Sequence, residues 1–168
     1  KILQIEVCIF LFYFGSNIYF TALTPFLKSF GLSDSTVFSL YLVHSGTMVG
    51  FFFLVTRIIT RVGEERSTVL AYVPRIIGIL IAGFVVTMFA GSELLAAAIV
   101  SMCLMVVGFS IYSTSNSVLL FKAIPKGFEG TYLGVNSSMV GMGVFGGALT
   151  AGFVTRTFNY STTFLLSA

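Results

Sequence analysis

Charged residues are scarce in this chain and make up 9% of its 168 residues, whereas an ordinary soluble domain has about 25%. Hydrophobic residues make up 57%, and the mean hydropathy is +1.02. A folded core of this composition would leave too little polar surface to face water. The shortage of charge therefore excludes an ordinary soluble domain and indicates a protein embedded in a membrane.

Motifs for cofactors and enzyme chemistry are also missing. The sequence has no P-loop, no G-x-S-x-G elbow, no G-x-G-x-x-G after a strand and no metal-ligand cluster. Its two cysteines, Cys8 and Cys103, lie within apolar stretches, which favours buried free thiols over a disulfide or a metal pair. We therefore expect no enzyme activity, no catalytic residue, no cofactor and no bound metal.

Long apolar runs are what the chain does contain. Five of them can cross a bilayer, since about 20 residues at about 1.5 Å each span the hydrocarbon layer. They cover residues 2–30, 37–60, 67–90, 94–121 and 131–155, and a sixth run begins at residue 162. We expect an all-α membrane protein, a six-helix transmembrane bundle with five complete spans and the start of a sixth. Residues 1–168 are expected to form this single bundle, as a fragment of a longer protein.

Basic residues indicate how the chain crosses the membrane, because Lys and Arg accumulate on the cytoplasmic side. One set of connections carries Arg57, Arg61, Arg66, Lys122 and Lys126. The opposite connections carry only Lys28 and Arg156. We predict a multi-pass protein of the plasma or inner membrane with a cytoplasmic amino terminus, and we attribute the net charge of +3 to topology and not to nucleic-acid binding.

Glycines recur at a spacing of four on two predicted helices. Such pairs let helix backbones approach closely, which matters because lipid gives no hydrophobic drive for helix pairing. The predicted helix-packing residues are Gly46, Gly50, Gly130, Gly134, Gly143 and Gly147. Seven glycines also weaken the fifth helix, by up to about 1 kcal/mol each relative to alanine. Static packing and a helix that bends or slides are both consistent with this pattern.

Polar side chains follow a helical spacing as well. Tyr13, Asn17, Thr21 and Thr24 lie four, four and three residues apart, which places them on one face of the first helix. His44 is the only histidine of the chain, and imidazole titrates near neutral pH in water. Asn and His are costly in lipid, so they face other helices or a watery cavity. A hydrophilic path and polar contacts between helices both remain open.

Two charged residues lie inside the apolar runs. Arg75 lies deep enough to reach a ligand path, but its long stem can also snorkel to the cytoplasmic face, and Glu6 is a candidate partner. Pro74 before it marks a kink or a later helix start. We favour a structural role for Arg75. Because Glu6 lies near a membrane edge, we expect a coupling carboxylate to lie elsewhere in the full protein or to be replaced by His44.

The segment 56–66 resembles an element of the major facilitator superfamily of secondary transporters. That family places G-x-x-x-D-[RK]-x-G-[RK]-[RK] between the second and third helices of each six-helix half. Arg61 and Gly63 match this element. The departures from it are Thr56, Thr60, Glu64 and Glu65. Such decay is typical of the second half, and the segment 125–130 is similar to the start of the family's fifth or eleventh helix.

The resemblance implies that the chain corresponds to helices seven to twelve of a twelve-helix fold, with the last helix truncated. It implies a substrate near the membrane midplane, between two bundles. The substrate-binding residues it implies are Tyr13, Asn17, His44, Ser113 and Asn136. The residues it implies for the cytoplasmic conformational loop are Arg61, Gly63 and Arg66. The implied partners are the lipid bilayer, the missing N-terminal six-helix half and a small solute, with or without a coupling proton or ion.

The leading hypothesis is half of a secondary active transporter that moves a small solute by alternating access. A second hypothesis is an intramembrane hydrolase that uses a serine with His44, which requires a serine hydroxyl within about 3 Å of the imidazole. A third is a receptor or scaffold that transports nothing. The sequence leaves open the solute, the coupling ion and the choice among uniport, symport and antiport.

Overall fold

The computed structural model describes residues 2–85 and 92–168, and nearly all of both ranges is helical. The helices are α1 (Ile2–Ser29), α2 (Asp34–Val62), α3 (Glu64–Leu70), α4 (Tyr72–Leu80), α5 (Ser92–Ala123), α6 (Glu129–Thr157) and α7 (Tyr160–Leu166). A π-helical segment, Ile81–Val85, follows α4 directly. No residue in these two ranges belongs to a strand. The predicted all-α fold is confirmed.

Within the described residues, five helical stretches are long and apolar enough to cross a membrane. They are Ile2–Ser29, Asp34–Val62, Glu64–Phe84, Glu93–Ala123 and Glu129–Thr157. Most helices run past their predicted ends. In α2 the reason is a cap, because the Ser33 hydroxyl accepts a hydrogen bond from the Thr36 amide at 3.2 Å. The predicted end of the third span, residues 86–90, and residue 91 of the following loop lie outside the described residues.

A single residue separates α2 from α3. Gly63 has a φ of 88° and a ψ of 150°, which residues with a Cβ rarely adopt. Its amide donates to the Ile59 carbonyl at 2.8 Å, and its carbonyl accepts from the Ser67 amide at 3.0 Å. The predicted gap between the second and third spans, residues 61–66, is therefore too long, because one glycine ends α2 and starts α3.

The helices fall into two groups that share a core. In one group α1 packs along α6 and against α7, and in the other α5 packs against α2, α3 and α4. Phe12 of α1 joins the groups, because its ring stacks on the Tyr112 ring of α5 at 3.7 Å between centroids. A relay of two hydrogen bonds, from Tyr19 through Ser101 to Gly78, joins the groups again. The Ser101 hydroxyl donates its proton to the Gly78 carbonyl at 2.7 Å. Its oxygen therefore accepts a hydrogen bond from the Tyr19 hydroxyl at 2.6 Å.

Two glycines bring the backbones of α1 and α6 together. Gly143 lies against the Phe10 carbonyl and Gly147 against the Phe14 carbonyl, so the contacts advance by four residues on both helices. The two helices are therefore parallel at this contact. A Cβ added at Gly143 would lie 2.8 Å from the Phe10 oxygen.

The other glycines predicted to pack helices lie in open space. Within the described residues, an added Cβ would meet no other element within 4 Å at Gly46, Gly50, Gly130 or Gly134. The packing role of these four residues stays a prediction. If they pack against a helix, that helix belongs to another part of the protein or to another chain.

Arg75 points into the bundle and is 2% exposed. Its guanidinium donates to the carbonyls of Phe12 at 3.2 Å and Ser167 at 2.9 Å, and lies 4.5 Å from the Phe12 ring centroid. Snorkelling of Arg75 and its pairing with Glu6 are therefore both wrong, because the α1 and α7 backbones supply acceptors inside the bundle. The nearby Pro74 lies in the first turn of α4, where a missing N–H is tolerated.

Candidate solute cavity

A cavity of about 260 Å³ lies between α1, α2, α5 and α6. Its walls are formed by Tyr13, Ser16, Asn17, Phe20, His44, Met48, Val106, Phe109 and Val144. Among the described residues, no Asp, Glu, Lys or Arg lines it. The cavity is therefore apolar over most of its surface and carries a few polar atoms, as small-molecule sites commonly do.

One wall of the cavity comes from α1. Tyr13, Ser16, Asn17 and Phe20 lie on one face because they recur at helical spacing. The Asn17 side-chain amide donates to the Tyr13 carbonyl at 3.0 Å, which orients it toward the start of the helix. The Ser16 hydroxyl is buried without a hydrogen-bond partner. Leaving such a group unpaired costs about 1–3 kcal/mol.

His44 faces this wall from α2. Its Nδ1 atom is buried and has no hydrogen-bond partner. Its ring meets the Phe20 ring edge to face, at 5.2 Å between centroids, and lies 6.3 Å from the Tyr41 ring. Aromatic contacts therefore hold the imidazole in place, and its buried Nδ1 has no protein partner.

The serine–histidine pair that a hydrolase needs is not formed. Ser16 and His44 line the same cavity, yet Ser16 Oγ and His44 Nδ1 each lack a hydrogen-bond partner. Within residues 2–85 and 92–168, no hydrogen bond joins a serine hydroxyl to His44. A nucleophile and its base lie within hydrogen-bonding reach of each other, so this arrangement does not favour acyl transfer.

Apolar side chains of α2, α5 and α6 form the rest of the cavity wall. Phe109 of α5 meets Tyr13 edge to face at 5.6 Å between centroids. Met48, Val106 and Val144 complete the apolar surface. With the polar side chains of Tyr13, Asn17 and His44 in its walls, the cavity suits a small aromatic or aliphatic solute with one or two hydrogen-bonding groups.

Three of the five predicted substrate residues meet in this cavity, namely Tyr13, Asn17 and His44. The other two do not line it. Ser113 is half-buried on α5, and its carbonyl accepts a hydrogen bond from the Ser117 hydroxyl at 2.7 Å. Asn136 is half-buried on α6, with its side-chain oxygen buried and unpartnered.

The polar residues predicted to share one face of α1 do not all line the cavity: Tyr13 and Asn17 do, and Thr21 and Thr24 do not. Thr21 is exposed, and the Thr24 hydroxyl is hydrogen-bonded to the Tyr41 hydroxyl at 2.9 Å. Sequence reasoning missed Ser16 and Phe20 in the cavity wall. A helical projection could have found both, since they lie three and seven residues after Tyr13 on its face.

The predicted conformational loop lies at the opposite end of α2 from Ser33. Arg61 and Arg66 are exposed on either side of Gly63. The Lys122 amine of α5 forms an ion pair with the Glu64 carboxylate at the start of α3. This exposed pair connects the loop to the end of α5, although surface ion pairs contribute only about 0–1 kcal/mol.

Comparison with known proteins gives one match. The family model described as Major Facilitator Superfamily matches residues 5–168. Searches of the curated proteins and of the solved structures find no match. Since the family model covers nearly the whole chain, the match includes every helix that forms the cavity.

Proposed function

The chain belongs to the Major Facilitator Superfamily of transporters, and we propose that it forms one six-helix half of a secondary transporter. The amino terminus of this half lies in the cytoplasm, and a second half supplies the rest of the solute site. The transporter moves a small solute by alternating access. The five membrane-length helices, the short α7 after them and the family match over residues 5–168 support this assignment.

The cavity between α1, α2, α5 and α6 carries the proposal. Tyr13, Asn17 and His44 contact the solute there, together with Ser16. The polar side chains of Tyr13, Asn17 and His44 bind its polar groups, and the aromatic rings hold its apolar body. A scaffold role is less well supported. Polar side chains that only join helices would be hydrogen-bonded to one another, whereas Ser16 Oγ and His44 Nδ1 have no hydrogen-bond partner.

Alternating access requires surfaces that can move against one another. The open glycines Gly46, Gly50, Gly130 and Gly134 offer such surfaces to the second half, since small residues permit close helix contacts that can slide. Arg61, Gly63 and Arg66 form the conformational loop at the cytoplasmic end. In this scheme Ser113 stays a predicted contact, because the described geometry does not bring it to the cavity.

A double variant tests the cavity assignment. The full-length protein, reconstituted in liposomes, would be screened for uptake of radiolabelled aromatic alcohols, amines and acids small enough for about 260 Å³. Asn17→Ala with His44→Ala should lower uptake of any transported solute about 5- to 150-fold, since two lost hydrogen bonds are worth about 1–3 kcal/mol. Ser45→Ala, next to His44 on the exposed side of α2, is the matched control. Unchanged uptake by the double variant would remove these residues from the site.

A further inference from the structure

A small cavity of about 60 Å³ lies between α2 and α5, and the proposed function does not use it. Three of its lining side chains can bind a metal ion, namely His44 of α2 with Met102 and Cys103 of α5. The rest of the lining is apolar and consists of Leu40, Val43 and Ile99. The cavity therefore brings an imidazole, a thioether and a thiol together in apolar surroundings.

His44 and Cys103 lie at the same level of the bundle. The residues that each helix contributes to this cavity follow the spacing i, i+3, i+4, so each set forms one helix face. His44 and Cys103 are 59 residues apart in sequence. Ile59 and Val118, which line another cavity between the same two helices, are also 59 residues apart. A constant offset means that α2 and α5 run parallel in one register, so the imidazole and the thiol lie opposite each other.

The two main donors of this cavity have no competing partner in the protein. Nδ1 is the His44 nitrogen that is buried without a hydrogen-bond partner. Nε2 is not enclosed in this way, and within residues 2–85 and 92–168 it makes no hydrogen bond. Cys103 is a half-buried free thiol. The Nε2 atom and the thiol are therefore both open to a ligand in the cavity.

These donors select a soft metal ion. Hard cations such as Ca²⁺ and Mg²⁺ take oxygen ligands, and among the described residues no carboxylate lines the cavity. Structural zinc takes four ligands, mostly cysteine and histidine. No group of three His, Cys, Asp or Glu residues that could hold a metal occurs in the described part of the chain. Thiolate, thioether and imidazole ligands together suit Cu(I).

Charge balance favours a monovalent ion over a divalent one. When Cu(I) binds Cys103, a copper–sulfur bond forms, the S–H bond breaks and the proton leaves to water. The charges of the thiolate and the ion then cancel. A divalent ion would leave one net positive charge, and an unpaired charge buried in a membrane protein costs several kcal/mol. Copper stays in the +1 state throughout, so this step needs no oxidant or reductant.

We propose that His44, Met102 and Cys103 form a binding site for one soft monovalent cation, Cu(I). The space is sufficient, because a single water needs about 10–15 Å³ and about 60 Å³ is present. The sequence predicts no bound metal, since His44 lies on a different span from both sulfur residues and no ligand spacing connects them. The proposal does not depend on the transport function, because binding is measured without a solute.

Protection of Cys103 from alkylation tests this site. The full-length protein in nanodiscs would be titrated with Cu(I), kept reduced by ascorbate and buffered by bicinchoninate. Brief alkylation with N-ethylmaleimide and mass spectrometry of the peptides then measure how much of each thiol is free. Cys8, which is exposed on α1, is the reference thiol. Half-protection of Cys103 should need at least about tenfold less free Cu(I) than that of Cys8, since even a group that only orients a metal ligand contributes about 10–100-fold in affinity. Equal midpoints for the two thiols would overturn the proposal.

Two substitutions distinguish a three-donor site from a thiol that binds copper alone. His44→Ala removes the nitrogen donor, and Met102→Leu removes the thioether while nearly keeping the side-chain volume. Each should raise the free Cu(I) needed for half-protection of Cys103 at least about tenfold and leave the midpoint of Cys8 unchanged. An unchanged Cys103 midpoint in either variant would exclude that residue as a ligand, and in both would refute the site. Zn(II) at the same free concentration should leave Cys103 reactive, and equal protection by zinc would overturn the choice of a monovalent ion.

Discussion

Alanine at Gly143 should push α6 away from α1. The added Cβ would lie 2.8 Å from the Phe10 carbonyl oxygen and 3.0 Å from the Tyr13 Cβ, whereas ordinary contacts begin at 3.4 Å. The shortfall against the oxygen, 3.4 minus 2.8, is 0.6 Å. Neither obstacle can rotate away, because one is a backbone atom and the other is fixed to the backbone. The helices themselves have to separate.

The expected loss of stability follows from two opposing effects. Overpacking costs about 1–3 kcal/mol, while alanine raises helix propensity by up to about 1 kcal/mol. The net free energy of unfolding should fall by about 1–2 kcal/mol. Gly152→Ala, on the same helix, is the matched control, because within the described residues its Cβ would meet no other element within 4 Å. That variant should gain up to about 1 kcal/mol.

Titration with SDS, followed by far-UV circular dichroism of the full-length protein in mixed micelles, measures both free energies of unfolding. Gly143→Ala should be less stable than Gly152→Ala by about 2 kcal/mol. If Gly143→Ala proved as stable as the control, the close approach of the two backbones would be refuted. A stable variant would also show that α6 has room to move without opening the interface.

Substitutions at three further positions test other parts of the fold. Gly63→Ala should lower the free energy of unfolding by about 1–3 kcal/mol, because the φ of 88° at this position strains a residue with a Cβ. Equal SDS midpoints for Gly63→Ala and Gly152→Ala would contradict this prediction. Arg75→Lys should be less stable than Arg75→Met by at least about 1 kcal/mol, because Lys keeps the buried charge with fewer donors. Thermal unfolding in nanodiscs ranks the two variants. The opposite order would contradict a buried Arg75 charge held by the Phe12 and Ser167 carbonyls. Tyr19→Phe should lower the free energy of unfolding by about 0.5–1.5 kcal/mol, because it removes the donor to Ser101. The control Ser45→Ala should melt like the wild type. Identical melting curves for the two variants would disprove the hydrogen bond from Tyr19 to Ser101.

Local hydropathy was sufficient to predict the spans, because a membrane helix needs only a long apolar run and internal hydrogen bonds. Helix ends were less predictable. Asp34 and Glu64 begin α2 and α3 although neither is apolar, since Ser33 caps the first and Gly63 starts the second with its backbone. Hydropathy does not register a cap, so the predicted loops were too long.

Side-chain environments depended on contacts between distant parts of the chain. The spacing of Tyr13 and Asn17 showed that they share a face, but not that His44 of another helix would face them. Arg75 could equally have pointed outward until Phe12 and Ser167 placed carbonyls beside it, 63 and 92 residues away in sequence. No local pattern carries such information, because helix rotation about its axis is fixed by packing.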